Sequence, residues 1–164
     1  MLFRIFSYLK FLLKSTNEHG VHSPFVFDFV TKGLYNKKIK NVIFNDYQQL
    51  EKLSKKKKKI LSKIVFHFKV NTIFFEKDNF SKFQNNNFKI LYTKNLSSIQ
   101  KLEPSSLSAK HIVIIDSIHQ NKQSYQNWKK FTQNKEITVS IDLFYLGLLF
   151  FRKEQAKEHF KIRV

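Results

Sequence analysis

The sequence predicts an α/β fold in which N-terminal helices precede a small sheet that ends in an antiparallel β-hairpin. Three observations carry that prediction. Apolar residues recur at helical spacing up to about Phe68, then give way to short runs rich in β-branched and aromatic residues. One of these, HIVIID at His111–Asp116, is apolar almost throughout, which suits a strand covered on both faces in a parallel sheet flanked by helices. The 164 residues are 42% apolar and 16% aromatic, enough for one hydrophobic core but not for two. Residues 1–164 are therefore expected as a single domain, with a helical region over 1–68 and an α/β core over 72–164.

The elements follow in order. Residues 1–14 (MLFRIFSYLKFLLK) place Leu2, Ile5, Phe6, Leu9, Leu12 and Leu13 on one helical face, with Arg4, Lys10 and Lys14 elsewhere. This amphipathic helix is expected either to dock on the domain's own core or to lie on a membrane surface. Basic residues break its apolar run and no small-residue cleavage site follows, so it does not read as a secretory signal. Ser23 and Pro24 form an N-cap and first helical position, with Phe25, Phe29 and Val30 behind them. Asn45 or Asp46 can cap a third helix carrying Tyr47, Leu50 and Leu53. Ile60, Leu61, Ile64, Val65 and Phe68 continue the helical period. Strands are then expected at Thr72–Glu76, Lys89–Thr93, His111–Asp116, Ile137–Asp142 and Leu146–Phe151, with a helix over Ser124–Phe131.

Composition excludes several chemistries. Without Cys there is no disulfide framework, thiolate metal site or cysteine nucleophile, which suits a cytoplasmic setting. The run Leu143–Phe151 is too short to cross a bilayer, which takes about 20 residues. The charge of +18 comes from 27 Lys and 3 Arg. A charge of this size suits nucleic acid or an anionic membrane surface, and the continuous run Lys55, Lys56, Lys57, Lys58 and Lys59 is the sharpest candidate for such a contact. Lysine is the less specific choice, and Lys, Asn, Phe and Ile together also mark A/T-rich codon usage, so selected electrostatics and codon bias both stay open.

Three blocks carry a resemblance: HGVHSPFVFDFV at His19–Val30, VIIDSIH at Val113–His119 and SIDLFYLGLLFFRKEQAKEHFKIR at Ser140–Arg163. They resemble the class I S-adenosylmethionine-dependent methyltransferase-like proteins of Bacteroidetes. The resemblance implies a Rossmann-like, methyltransferase-type sheet whose first strand ends in an acid and leads into a glycine-rich turn against the cofactor. Glu76 supplies the acid, but Lys77, Asp78, Asn79, Phe80 and Ser81 follow, and no glycine occurs between residues 34 and 146. A turn needing positive φ and close backbone approach is hard to build from those residues. The end of the second predicted strand carries Thr93 and Lys94 where the family resemblance implies a ribose-binding carboxylate. The interval between Glu76 and His111 is also far shorter than the crossovers between a first and a fifth strand require, each βαβ unit taking about 30 residues. The expectation is a reduced sheet of three parallel strands plus the hairpin, in a degenerate family member that binds S-adenosylmethionine weakly or not at all. A sheet that has lost strands also leaves edges and apolar faces that a homo- or hetero-oligomer could cover.

Asp116 and His119, just past the C-terminal end of a strand, are the best catalytic candidates, because ligands bind at that rim in open α/β sheets. The resemblance implies paired acids there, whereas this chain has Ser117 after Asp116, so no two-carboxylate metal site is expected. His119 could act as a base near neutral pH, and Asp116 could equally stabilise the turn. His19 and His22 lack an acidic or histidine partner at metal-ligand spacing, and no metal site is expected. Glu76 is the one cofactor-binding candidate.

Overall fold

The computed structural model describes residues 2–39, 47–75, 88–94 and 107–164. It is a mixed α/β structure whose contacts divide into two compact units: Met1–Thr16 with Asn71–Arg163, and Asn17–Val70 with Val164.

In the Asn17–Val70 unit, Asn17 Oδ1 accepts the His19 N–H and starts a single 3₁₀ turn, Glu18–Gly20. Ser23 caps helix α2 (Pro24–Asp28), its Oγ accepting the Val26 N–H with Pro24 in the first turn, as the sequence predicts. The helix then widens into a π-helical segment, Phe29–Leu34. A short α3 (Gln48–Glu51) follows, and its expected caps, Asn45 and Asp46, lie outside the described residues. Ser54 caps α4 (Lys55–Phe68), which ends at Lys69 in the left-handed conformation, φ 50°. Phe68 packs on Phe25 and Phe29, and Lys63 Nζ donates to the Leu34 carbonyl at the end of the π segment. A Cβ on Gly33 would lie 3.0 Å from the Phe29 ring and 3.1 Å from His67. The missing side chain is what lets α4 come this close.

In the other unit, α1 (Leu2–Lys14) and α5 (Lys122–Thr132) accompany six strands: β1 (Thr72–Phe75), β2 (Lys89–Thr93), β3 (His111–Asp116), β4 (Val139–Asp142), β5 (Leu146–Phe150) and β6 (Glu158–Lys161). They form one sheet in the order β1-β2-β3-β5-β4-β6. Pairs β1/β2, β2/β3 and β4/β6 are parallel, while β5 is antiparallel to both neighbours, so five strands run one way and β5 alone runs back. Every residue of β2 and β3 is buried, as the continuous apolar run predicts.

Register fixes the faces. Leu91, Val113 and Leu149 are cross-strand partners and carry, with Ile115, Ile137 and Phe151, the core cluster beneath Trp128. Trp128 is wholly buried, and a Cβ on Gly147 would stand only 2.6 Å from its indole. That position tolerates nothing larger than glycine without moving the ring.

Three features differ from the sequence expectation. The strand expected at Ile137 begins at Val139, because the Ile137 N–H turns back to the Asn134 carbonyl. A sixth strand, β6, joins the edge of β4 through a polar segment (EHFK) that carries little period-two signal. Helix α1 does not dock its apolar stripe on the core, the first of its two expected placements: its buried residues are Ser7 and Phe11, while Leu2, Ile5, Phe6, Leu9 and Leu13 are 51–87% exposed. Aromatic contacts of Phe11 and Tyr8 with Phe144 hold that orientation, which a hydrophobic stripe read from sequence cannot anticipate.

Candidate functional site

The site is built at the C-terminal ends of the parallel strands. One cross-strand row, Thr93, Ile115, Gly147, Asp142 and Lys161, runs across β2, β3, β5, β4 and β6 and presents these residues to one face. Asp142 lies in that row beside Gly147 and is fully buried. A buried carboxylate is costly unless it is paired and hydrogen-bonded. Both of its oxygens are used: Oδ1 accepts the Phe144 N–H at 2.8 Å, and Oδ2 lies 2.8 Å from His119 Nε2.

The turn after β3 delivers His119 to that carboxylate. Ser117 takes the left-handed conformation (φ 58°), its N–H donates to the Tyr145 carbonyl, and its hydroxyl donates to Asp116 Oδ1 at 2.8 Å. The Gln120 N–H closes the turn on the Ser117 carbonyl. His119 Nδ1 then meets Ser7 Oγ of α1 at 2.5 Å. The ring is stacked between Phe144 (4.6 Å, 20°) and Tyr125 (4.4 Å, 27°). Phe144 itself adopts φ 66°, unusual for a bulky side chain, and the hydrogen bond from its N–H to Asp142 holds it there. Burial, then the Asp142 carboxylate, push the Tyr125 phenol above its ordinary value, so it stays protonated.

A carboxylate can only accept, so the proton between His119 and Asp142 belongs to Nε2. With a neutral ring, Nδ1 accepts from the Ser7 hydroxyl; with a charged ring, it donates to Ser7. The order hydroxyl, imidazole, buried carboxylate is that of a polarised oxygen, a base and the group that orients the base. The sequence reading found His119 but neither partner. Asp142 had a usable signal, an acid at the end of an apolar strand on the same rim as Asp116. Ser7 had none, since a serine inside an apolar helix gives no sign of which face is buried.

The remaining candidates lie elsewhere. Asp116 is buried at the end of β3, but neither ring nitrogen of His119 is directed to it. Burial and the Asp116 carboxylate push the Tyr92 phenol far above its ordinary value, which keeps that hydroxyl protonated beside the acid. Glu76, the cofactor-binding candidate, lies outside the described residues. Lys55, Lys56 and Lys59 are exposed and Lys57 and Lys58 half-buried in the opening turns of α4, where the helix dipole disfavours cations. His19 is exposed 3.7 Å from Glu18, and no cluster among the described residues has the three ligands a metal ion needs.

Ser7 and His119 open on a cavity of about 510 Å³ between α1, α5 and the end of β6. No protein-family model, curated protein or solved structure matches the chain.

Proposed function

We propose that this chain is a shortened member of the class I S-adenosylmethionine-dependent methyltransferase family, retaining the C-terminal half of the sheet and holding the cofactor weakly or not at all. Strand order is the observation that carries the reading. A Rossmann sheet steps outward from its first strand to the fourth and fifth, in the order 3-2-1-4-5-6. The contiguous parallel strands β1-β2-β3 fit positions one, four and five, and β5 is wedged antiparallel between β3 and β4, as a methyltransferase-type C-terminal hairpin requires. On this reading β2 fills the fourth position, not the second. The strand that would bring a carboxylate to the ribose then has no counterpart among the described residues. The absence of glycine from 34 to 146 removes the close backbone approach as well. Calorimetric titration with S-adenosylmethionine tests this: no saturable heat is expected, and stoichiometric micromolar binding overturns the degenerate reading.

A second reading, attachment to an anionic membrane surface, is favoured by α1. Its apolar stripe Leu2, Ile5, Phe6, Leu9 and Leu13 is exposed, and its charged residues are Arg4, Lys10 and Lys14, with no acid. Co-sedimentation with phosphatidylserine-containing vesicles, lost on Leu9→Glu with Leu13→Glu and absent with pure phosphatidylcholine, is the expected result. Equal binding of wild type and the double variant removes α1 from the contact.

A further inference from the structure

We infer that the cavity over Ser7 and His119 is a binding site for a small molecule bearing a phosphate monoester or diphosphate group. The inference does not depend on methyl transfer, and it shares Phe6, Lys10 and Lys14 with the α1 surface described above. Five lysines line it: Lys10 and Lys14 from α1, Lys122 and Lys129 from α5, and Lys161 from β6. No acidic residue lines it. The chain's overall lysine content, 27 in 164, would place about two among twelve lining residues, so codon bias alone does not account for five. None of the five makes an ion pair among the described residues, and Asp142, the cross-strand partner of Lys161, is fully buried and already bonded to His119 and the Phe144 N–H. Cations converging from three separate elements repel one another, and an anion in their midst converts that repulsion into attraction.

The ligand's charge follows from the count. One carboxylate offsets a single lysine, whereas a phosphate ester carries about two charges near neutral pH and several acceptor oxygens. Lysine ammonium groups suit phosphate as mobile point charges. The rest of the ligand faces Phe3, Phe6 and Tyr125, and Lys129 Nζ already lies 5.5 Å above the Tyr125 ring. A flat or apolar body fits such walls, and the volume lies in the range of small-molecule sites. The cavity opens at the end of β6, on the rim where open α/β sheets take their ligands.

The test is calorimetric titration of the full chain with ADP, inorganic pyrophosphate and uncharged adenosine at physiological salt. ADP and pyrophosphate are expected to bind and adenosine not to. The triple variant Lys10→Gln, Lys122→Gln, Lys129→Gln should lose about tenfold in ADP affinity or more, while Lys55→Gln, Lys56→Gln, Lys58→Gln, which removes the same charge, should change it less than about twofold. Equal losses in the two triples assign the binding to diffuse charge and overturn the site, as does binding of neither phosphate. If the cavity triple unfolds early, the exposed single changes Lys122→Gln and Lys129→Gln carry the same comparison, each expected to cost about threefold. Dihexanoyl phosphatidic acid as competitor identifies the source: displacement of ADP at lower concentration than pyrophosphate marks a lipid headgroup, and weaker displacement marks a soluble phosphate.

Discussion

Two histidines in this molecule each lie near an aspartate, and the surroundings give them different roles. His119 is buried, shares a 2.8 Å contact with a fully buried Asp142, spends its other nitrogen on Ser7 and is stacked between two rings. His67 lies 3.7 Å from Asp28, whose side chain is 44% exposed and is claimed at 2.6 Å by Lys32 one helical turn away. Its ring packs on Phe29 and meets Phe68 edge-on. Burial is the chief influence on His67 and pushes its pKa down, with Asp28 a smaller opposing effect. Proximity of the same two residue types is therefore not enough to make a site. What distinguishes His119 is that its carboxylate is fully buried and forms no ion pair with a lysine or arginine among the described residues, so the ring orientation is fixed by the fold.

The largest expected effect falls on the His119 side. Asp142→Ala leaves both His119 Nε2 and the Phe144 N–H without a partner in a buried place, and should cost about 3–5 kcal/mol in denaturant unfolding. A loss below about 1 kcal/mol would mean that the pair is far less committed than its burial implies. Ser7→Ala removes one hydroxyl from Nδ1 and should cost about 1 kcal/mol in the same denaturant assay. Asp28→Asn tests the other pair: its carboxylate is solvated and screened, so no more than about 0.5 kcal/mol is expected in the same assay. If Asp28→Asn costs as much as Asp142→Ala, the contrast fails.

The smallest effect is a pH dependence. Because the folded-state pKa of His67 lies below the ordinary 6.5, the unfolded chain takes up this proton first as pH falls through that value. The unfolded state then binds more protons and stability declines on acidification. Between about pH 7.5 and 5.5 the His67 contribution should lower the unfolding midpoint. It is read as the part of the pH slope that His67→Gln removes, and an unchanged slope contradicts the assignment.

Much of the fold is legible in the sequence for a simple reason: the strands that are buried on both faces leave long apolar, β-branched runs. Strands β2 and β3 match their predicted bounds residue for residue. Where the environment is one-sided, the signal weakens. Edge strand β6 is polar, with only Phe160 of its four residues buried, and nothing in EHFK distinguishes it from a loop. The orientation of α1 escapes because amphipathicity says which face is apolar, whereas packing chooses which face is covered; here a serine and a phenylalanine are covered and five large apolar side chains are not. The site shows the same limit. His119 is visible as a histidine beyond a strand end, but Ser7 and Asp142 lie 112 and 23 residues from it along the chain, and only register and helix placement bring them together.

The lone tryptophan offers a consequence of its own. Trp128 is wholly buried against Gly147 within the sheet-bearing unit, whereas the Asn17–Val70 unit contains no indole. Indole emission, selectively excited, therefore watches the sheet-bearing unit and is blind to the other, while far-ultraviolet ellipticity registers both. Divergent melting traces from the two signals would mark how separately the halves come apart.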